Sequence, residues 1–378
     1  MTTDAAFNVV IAGGGVAALE AALALRDLAQ DRVSIRLVAP DAEFTYRPMT
    51  VGEPFALPAA RRYPLEDIAR EVDAEMIVDE LSRVDVVGRT AHTRDGDTLA
   101  YDALLIATGG RMRPPFAHGL TIDDGRMDEL LHGIIQDVEG GYLRTLAFVA
   151  PERMAWPLPI YELALLTARR AYDMNVPLGI TVVTPESAPL AIFGDQASQA
   201  VARLLDRAAI TTIHSARAQV PTPGHVVIQP GDRSLTVDCV ITLPELFGPA
   251  VRGLPVGAHG FLRVDAHGRV RGVPCVFAAG DGTDFPIKHG SIAAQQADAA
   301  AQSIAALAGA PLVPAPFHPR LHAMLLTGEK PLYLTAQISG GRGFDSEIGD
   351  EPTWEPAAKI TAAYLTPFLA RSETPAVI

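Results

Sequence analysis

The chain predicts an α/β fold made of two βαβ domains of one plan, each with a parallel sheet, followed by a small C-terminal segment. Three observations carry this. A strand, a glycine triplet and a helix follow one another within the first 40 residues. A second run of the same kind starts near Thr145. A short Asp-led motif closes each half, Tyr101-Asp102-Ala103-Leu104-Leu105 and then Val237-Asp238-Cys239-Val240-Ile241. Asp102 lies 94 residues after Asn8, and Asp238 lies 93 after Thr145, so the halves repeat in spacing as well as in pattern.

Each element has a local reason. Phe7–Ala12 is a short, β-branched apolar run that stops at Gly13-Gly14-Gly15, as a buried strand does. Residues 16–30 are rich in Ala and Leu at helical spacing, and Val33–Ala39 is the next strand. Such a unit pairs its strands in parallel through a right-handed crossover. Residues 103–107 form another apolar run, ended by Thr108-Gly109-Gly110. The plan then restarts with a strand at 145–150, a helix at 159–172 and a strand at 180–184. Residues 275–279 read as a last strand ending in Gly280-Asp281-Gly282, and an Ala/Gln helix follows at about 291–308. Pro311, Pro314, Pro316 and Pro319 mark a linker. A hairpin-like stretch (332–338, then Gly340-Gly341) and a short helix at 356–371 finish the chain. The predicted domains are 1–115 with 246–310, an inserted domain at 116–245, and a C-terminal segment at 311–378.

Composition narrows the function. With 378 residues, 48% hydrophobic and 20% charged, the chain can bury two cores without disulfide or metal staples. The balance of 31 Lys+Arg against 44 Asp+Glu gives a net charge of −13, and no basic patch is dense enough for nucleic acid. Two cysteines, Cys239 and Cys275, form neither a framework nor a CxxC pair and suit a reducing compartment. There is no signal-peptide pattern and no apolar stretch of spanning length, so a soluble, cytoplasmic chain is expected. No HExxH, metal-ligand cluster, Walker loop or GxSxG occurs, and no metal is expected.

Gly13-x-Gly15-x-x-Ala18, after a strand and opening a helix, is a dinucleotide-binding (Rossmann) fingerprint. Gly13 permits the turn, Gly15 lets backbone approach a pyrophosphate, and Ala18 lets helix and strand pack closely. Gly14, Val16 and Ala17 would offer N–H groups at the positive end of the helix. The usual acidic residue at the end of the second strand is missing from Leu37-Val38-Ala39-Pro40-Asp41. Asp41 is the candidate ribose ligand, with a helix cap or a solvated charge as the other reading.

Taken with Ala107-Thr108-Gly109 and Val276-Phe277-Ala278-Ala279-Gly280-Asp281, in this order, the chain resembles flavoproteins with two dinucleotide-binding domains, the pyridine nucleotide-disulfide oxidoreductase superfamily of glutathione-reductase-type fold. The resemblance runs from about residue 7 to 340. It implies FAD, with Asp281 at the ribityl–pyrophosphate region and the following helix aimed at the flavin. Within the superfamily the chain is most similar to the sulfide:quinone oxidoreductase and flavocytochrome c sulfide dehydrogenase branch, with type II NADH dehydrogenases further off. That likeness rests on Phe44-Thr45-Tyr46-Arg47-Pro48, Pro159-Ile160-Tyr161-Glu162, Ile192-Phe193-Gly194 and Phe285-Pro286-Ile287-Lys288-His289-Gly290.

The departures are as informative. The branch oxidises sulfide through a cysteine pair beside the flavin. The matching segments here, Arg153-Met154-Ala155-Trp156-Pro157 and Leu325-Leu326-Thr327, contain no thiol. The second phosphate loop, Ala150-Pro151-Glu152-Arg153 to Pro157-Leu158-Pro159, replaces glycines with prolines, which remove N–H donors, and adds a carboxylate. Ordinary tight NAD(P)H binding there is not expected, although Arg153 could salvage a phosphate contact. Lys288 is a candidate to stabilise reduced flavin, and His289 to shuttle a proton. Trp156 and Tyr161 are candidates for the substrate-side wall, and Arg47 and Pro48 for contact with the isoalloxazine.

The expected function is an oxidoreductase that passes hydride or electrons through noncovalent FAD without a cysteine relay, between small-molecule partners that could include a quinone. Two alternatives stay open: an NAD(P)H:quinone-type reductase with weak nicotinamide binding, and a non-catalytic flavoprotein that binds a partner or carries electrons to it. A homodimer is compatible with either. Ile360, Ala363, Tyr364 and Phe368 form a short stripe flanked by Lys359 and Arg371. It is expected to lie on the body or a partner subunit rather than a membrane, peripheral contact being the other reading.

Overall fold

The fold is described from a computed structural model, for residues 6–123, 125–231, 233–339 and 342–372. The first sheet is built from β1 (Phe7–Ala12), β2 (Val33–Ala39), β3 (Ala74–Val78) and β4 (Ala103–Ile106). Val9 to Ala12 are completely buried, which accounts for their unbroken apolar run. The helix α1 (Val16–Ala29) crosses from β1 to β2.

The chain then builds a second sheet. Its parts are β5 (Leu120–Thr121), α2 (Met127–Glu139), β6 (Thr145–Val149), α3 (Leu158–Asp173), β7 (Gly179–Val183), α4 (Asp195–Arg207), β8 (Thr211–Ile213) and β9 (Cys239–Thr242). The strand order is β5-β9-β6-β7-β8, all parallel. The chain next returns to the first sheet as β10 (Val276–Ala278) and α5 (Gly290–Leu307), giving the order β10-β4-β1-β2-β3, again all parallel.

The two sheets share one plan. Each carries a three-stranded antiparallel sheet in the same place: Leu81–Asp85, Thr90–Thr93 and Thr98–Ala100 in the first half, Arg217–Thr222, His225–Gln229 and Arg233–Thr236 in the second. The recurring aspartates have a common job. Asp102 Oδ2 accepts from Asn8 N at 2.8 Å and Nδ2 at 3.3 Å. Asp238 Oδ2 accepts from Arg144 N, Thr145 N and Thr145 Oγ1 at 2.8, 2.9 and 2.9 Å. Each carboxylate pins the start of its domain's first strand to the chain just before a later one. The edge strand opposite differs: β10 fills that place in the first sheet from far along the chain, and β5 fills it in the second from just before α2.

In the first half, α1 and α5 pack on one another through faces that are largely alanine, so the two backbones lie close together. The C-terminal segment opens with β11 (Arg320–Leu325), β12 (Leu332–Ser339) and β13 (Arg342–Gly349), an antiparallel sheet. Leu321, Ala323, Leu325, Leu334 and Ala336 join the core of the second half. Gly340-Gly341 lies outside the described residues.

The last helix corrects the sequence reading. α6 spans Leu365–Ser372, not 356–371. Residues 350–364 form an irregular strap whose N–H groups bond to side chains of other elements. Ile360 is buried as expected and Tyr364 and Phe368 pack against the core of the first half, but Ala363 is exposed, and Leu365 and Leu369 add to that contact. Lys359 is not a flanking charge; it is buried.

Candidate active site

The glycine turn sits where β1 ends and α1 begins. Gly13 has φ 131°, and a Cβ there would lie 2.1 Å from the Ala107 carbonyl oxygen, so only glycine fits the turn. Gly15 differs: nothing lies within 4 Å of where its Cβ would be. It is the N-cap of α1, with no side-chain cap and no acidic residue in the first turn. The first N–H groups of the helix are therefore left for a ligand, at the end of the helix that favours negative charge.

These groups face one cleft of about 1320 Å³, above the roughly 300–1,000 Å³ of ordinary small-molecule sites. Gly13, Gly14, Gly15, Val16 and Ala17 line it, with Asp41, Arg47, Pro48, Thr108, Gly109, Gly280, Asp281 and Lys288. All the residues expected to bind a cofactor thus meet in one place. Gly280 has φ 79°, and its N–H donates to Gln296 Oε1 at 2.8 Å, which ties the turn to α5. Burial pushes the Asp281 carboxyl up, and the nearby charges of Lys288 and Arg47 oppose that. Lys288 Nζ donates to the carbonyls of Asp281 at 3.1 Å and Thr283 at 2.6 Å and sits 4.2 Å above the Phe261 ring. Burial lowers its pKa to about 8, so it is mostly cationic at neutral pH.

Trp156, Pro159, Glu162, His289, Met324, Lys359 and Ile360 form another part of the cleft wall. His289 is the N-cap of α5: its Nδ1 accepts from Ser291 N at 3.2 Å, which assigns the proton to Nε2. Its ring lies 4.7 Å from Trp156. Burial drives it down to about 3, so the resting imidazole is neutral.

Tyr161 corrects the expectation that it walls the cleft. Pro159 and Glu162, three apart on α3, face the cleft, and Tyr161 points the other way. It is fully buried, and its hydroxyl donates to Glu186 Oε2 at 2.7 Å.

The family model described as pyridine nucleotide-disulphide oxidoreductase matches residues 7–142. An NADH dehydrogenase-like protein of Mycobacterium tuberculosis is 27% identical over 291 residues, 72% of each chain. The sulfide:quinone oxidoreductase of Aquifex aeolicus has a TM-score of 0.80 at 20% identity, over 91% of this chain and 87% of that one. A ferredoxin reductase of Rhodopseudomonas palustris has a TM-score of 0.68 at 19% identity, over 88% and 83%. These likenesses are consistent with the pyridine nucleotide-disulphide oxidoreductase superfamily, and the chain is an oxidoreductase. It is of the flavin-dependent kind.

Two features mark out its sites. Neither Cys239 nor Cys275 lines the cleft. The second phosphate loop is also occupied by its own side chains. Counting from the shared aspartate clamp, Ala150 stands where Gly13 does and Glu152 where Gly15 does. Glu152 pairs with Arg217, and Arg153 pairs with Glu245 at 2.9 Å while lying over Phe247. Burial pushes Glu186, just after β7, up to about 7, and Tyr161 and Thr184 hydrogen-bond to it. α3 starts only at Leu158, beyond Arg153 where a strict repeat would begin it.

The sequence reading missed one pair. Lys359 Nζ donates to Glu162 Oε1 at 2.6 Å, with the side chains 4% and 1% exposed, and Leu326 N also donates to that oxygen at 2.9 Å. Burial raises Glu162, and Lys359 opposes it. The available signal was a lone lysine followed by an isoleucine in an otherwise uncharged stretch.

Proposed function

We propose that the cleft binds FAD without a covalent link and passes hydride or electrons between small molecules with no cysteine relay. The observation that carries this is the convergence of the glycine turn, Thr108-Gly109 and Gly280-Asp281 on one cleft that no cysteine lines. The residues fit the group: an open backbone approach at Gly15, uncapped N–H groups at α1, and a half-buried lysine lining the same cleft. Bound FAD would supply the centre that takes and returns two electrons.

The chain's own residues set the conditions. The α1 N-terminus would offset the charge of the diphosphate. Lys288, fixed on two carbonyls, offers positive charge where a reduced flavin would carry negative charge. Neutral His289 presents a proton on Nε2, and the Glu162–Lys359 pair keeps a second proton-exchanging group at the wall. Trp156, Leu158, Met324 and Ile360 make that wall largely apolar, which suits a planar acceptor such as a quinone.

The name of the mycobacterial relative favours a second reading, an NAD(P)H:quinone-type reductase with weak nicotinamide binding. One experiment separates them. Purified protein is expected to be yellow and to release FAD on denaturation. Anaerobic NADH or NADPH is expected to leave the flavin oxidised over the time a quinol or another donor reduces it. Rapid bleaching by either nucleotide establishes the second reading. A folded, colourless protein that takes up no FAD overturns both.

A further inference from the structure

A carboxyl pair outside the cleft has no part in that reading. Glu20 on α1 is fully buried, and Asp298 on α5 meets it where the helices pack, the two carboxyls sharing a hydrogen bond. Two carboxylates cannot bond to each other, because neither has a proton to donate, so one of the two is an acid. The surroundings decide which. Glu20 Oε1 accepts from Tyr364 N at 3.0 Å and Oε2 from Leu365 N at 2.5 Å, the free donors at the start of α6. Among the described residues no donor reaches Asp298 Oδ1. Glu20 is the carboxylate and Asp298 the acid that donates to it.

We propose that Glu20 and Asp298 form a latch closed by one shared proton, which positions strap residues 359–364 with Lys359 and Ile360 in the cleft wall, and that loss of the proton lets the strap lift. The strap carries Lys359 and Ile360 into the cleft wall, so the latch is a positioning device for the Glu162–Lys359 pair. That consequence for flavin chemistry rests on the FAD reading; the latch itself does not.

The other groups around the pair do not compete for the switch. Asp27 of α1 accepts from the Tyr364 hydroxyl at 3.4 Å, and burial pushes Tyr364 up to about 12. Among the described residues no cation acts on Glu20 or Asp298. The strap's remaining ties are Ile360 N to the Tyr46 hydroxyl at 2.8 Å, Thr361 N to Ser291 Oγ at 2.8 Å, and Thr361 Oγ1 with His322 Nδ1 at 3.1 Å. Burial lowers His322, so it is neutral from pH 7 upward. Burial and the Glu20 charge push Asp298 up to about 8, and burial also raises Glu20. An acid whose pKa rises on docking supports docking fully below the free aspartate range. That support drains as the pH climbs and is gone once it passes about 8.

Hydrogen exchange of the flavin-loaded protein reads the latch directly. Corrected for intrinsic exchange, protection of the Tyr364 and Leu365 amides is expected to fall at least tenfold between pH 6 and pH 9. Asp298→Asn keeps a donor that cannot ionise and is expected to hold protection flat. Glu20→Gln is expected to expose both amides at either pH. A flat wild-type profile, or an Asp298→Asn profile that falls like the wild type, overturns the proposal. If the variants do not fold, the wild-type profile decides alone. The readout needs no flavin chemistry, so a flat profile in yellow protein sinks the latch and leaves the FAD reading standing. A pH-dependent strap in colourless protein does the reverse.

Discussion

The two halves share strand order, an antiparallel sheet in the same place and an aspartate that pins the first strand, yet only the first leaves the backbone of its turn open. The difference lies in a handful of residues. Gly13 and Gly15 leave the end of α1 open; Ala150 and Glu152 stand in their places, and Glu152 and Arg153 are tied into ion pairs with Arg217 and Glu245. Topology supplies a strand end and a helix start, and the turn between them decides whether a ligand can approach.

The largest effect should separate the two turns by stability. Gly13→Ala places a Cβ 2.1 Å from the Ala107 carbonyl oxygen at a left-handed φ. We expect it to cost about 3–5 kcal/mol. Ala150→Gly, at the matching position, should cost no more than about 1 kcal/mol. Denaturant unfolding of both variants measures the contrast; equal losses would mean that the two turns are not structurally equivalent.

The next contrast exchanges chemistry without disturbing the fold. Gly15 is extended and unobstructed, so Gly15→Glu, which copies Glu152, should fold normally. Its carboxylate would meet the diphosphate at the helix end, and FAD affinity should drop roughly 100-fold. Flavin titration with circular dichroism as the folding control tests this. Undiminished affinity would place the diphosphate elsewhere.

The readable part of the molecule was the part with short-range rules. The glycine turn, the Thr108-Gly109 and Gly280-Asp281 turns and the apolar strands each depend on neighbours within a few residues, and they meet in the cleft. What could not be read depends on partners far along the chain. Lys359 looked like a surface charge because Glu162 lies 197 residues away. Tyr161 looked like a wall residue because its partner Glu186 sits on the far side of α3, invisible until the helix is seated. α6 starts late because the strap's hydrogen bonds go to Tyr46, Ser291 and Glu20 rather than to its own turns.

The smallest contrast tests what the halves have in common. Asp102→Ala removes two hydrogen bonds to Asn8, for which we expect a loss of about 1–2 kcal/mol. Asp238→Ala removes three, from Arg144 N and from Thr145, and should lower the Tm further. The second clamp should also weaken in acid. The backbone N–H of Arg144, then the Thr145 hydroxyl and N–H, hold the Asp238 carboxyl below the usual aspartate range. A lowered pKa means support that is complete above the free aspartate range and lost as the pH falls through the lower value. Wild type minus Asp238→Ala in Tm should therefore be constant from pH 7 to pH 5 and shrink toward pH 3. A difference that stays constant to pH 3 would show that the second clamp works through chain geometry and not through its charge, leaving spacing as the property the two halves share.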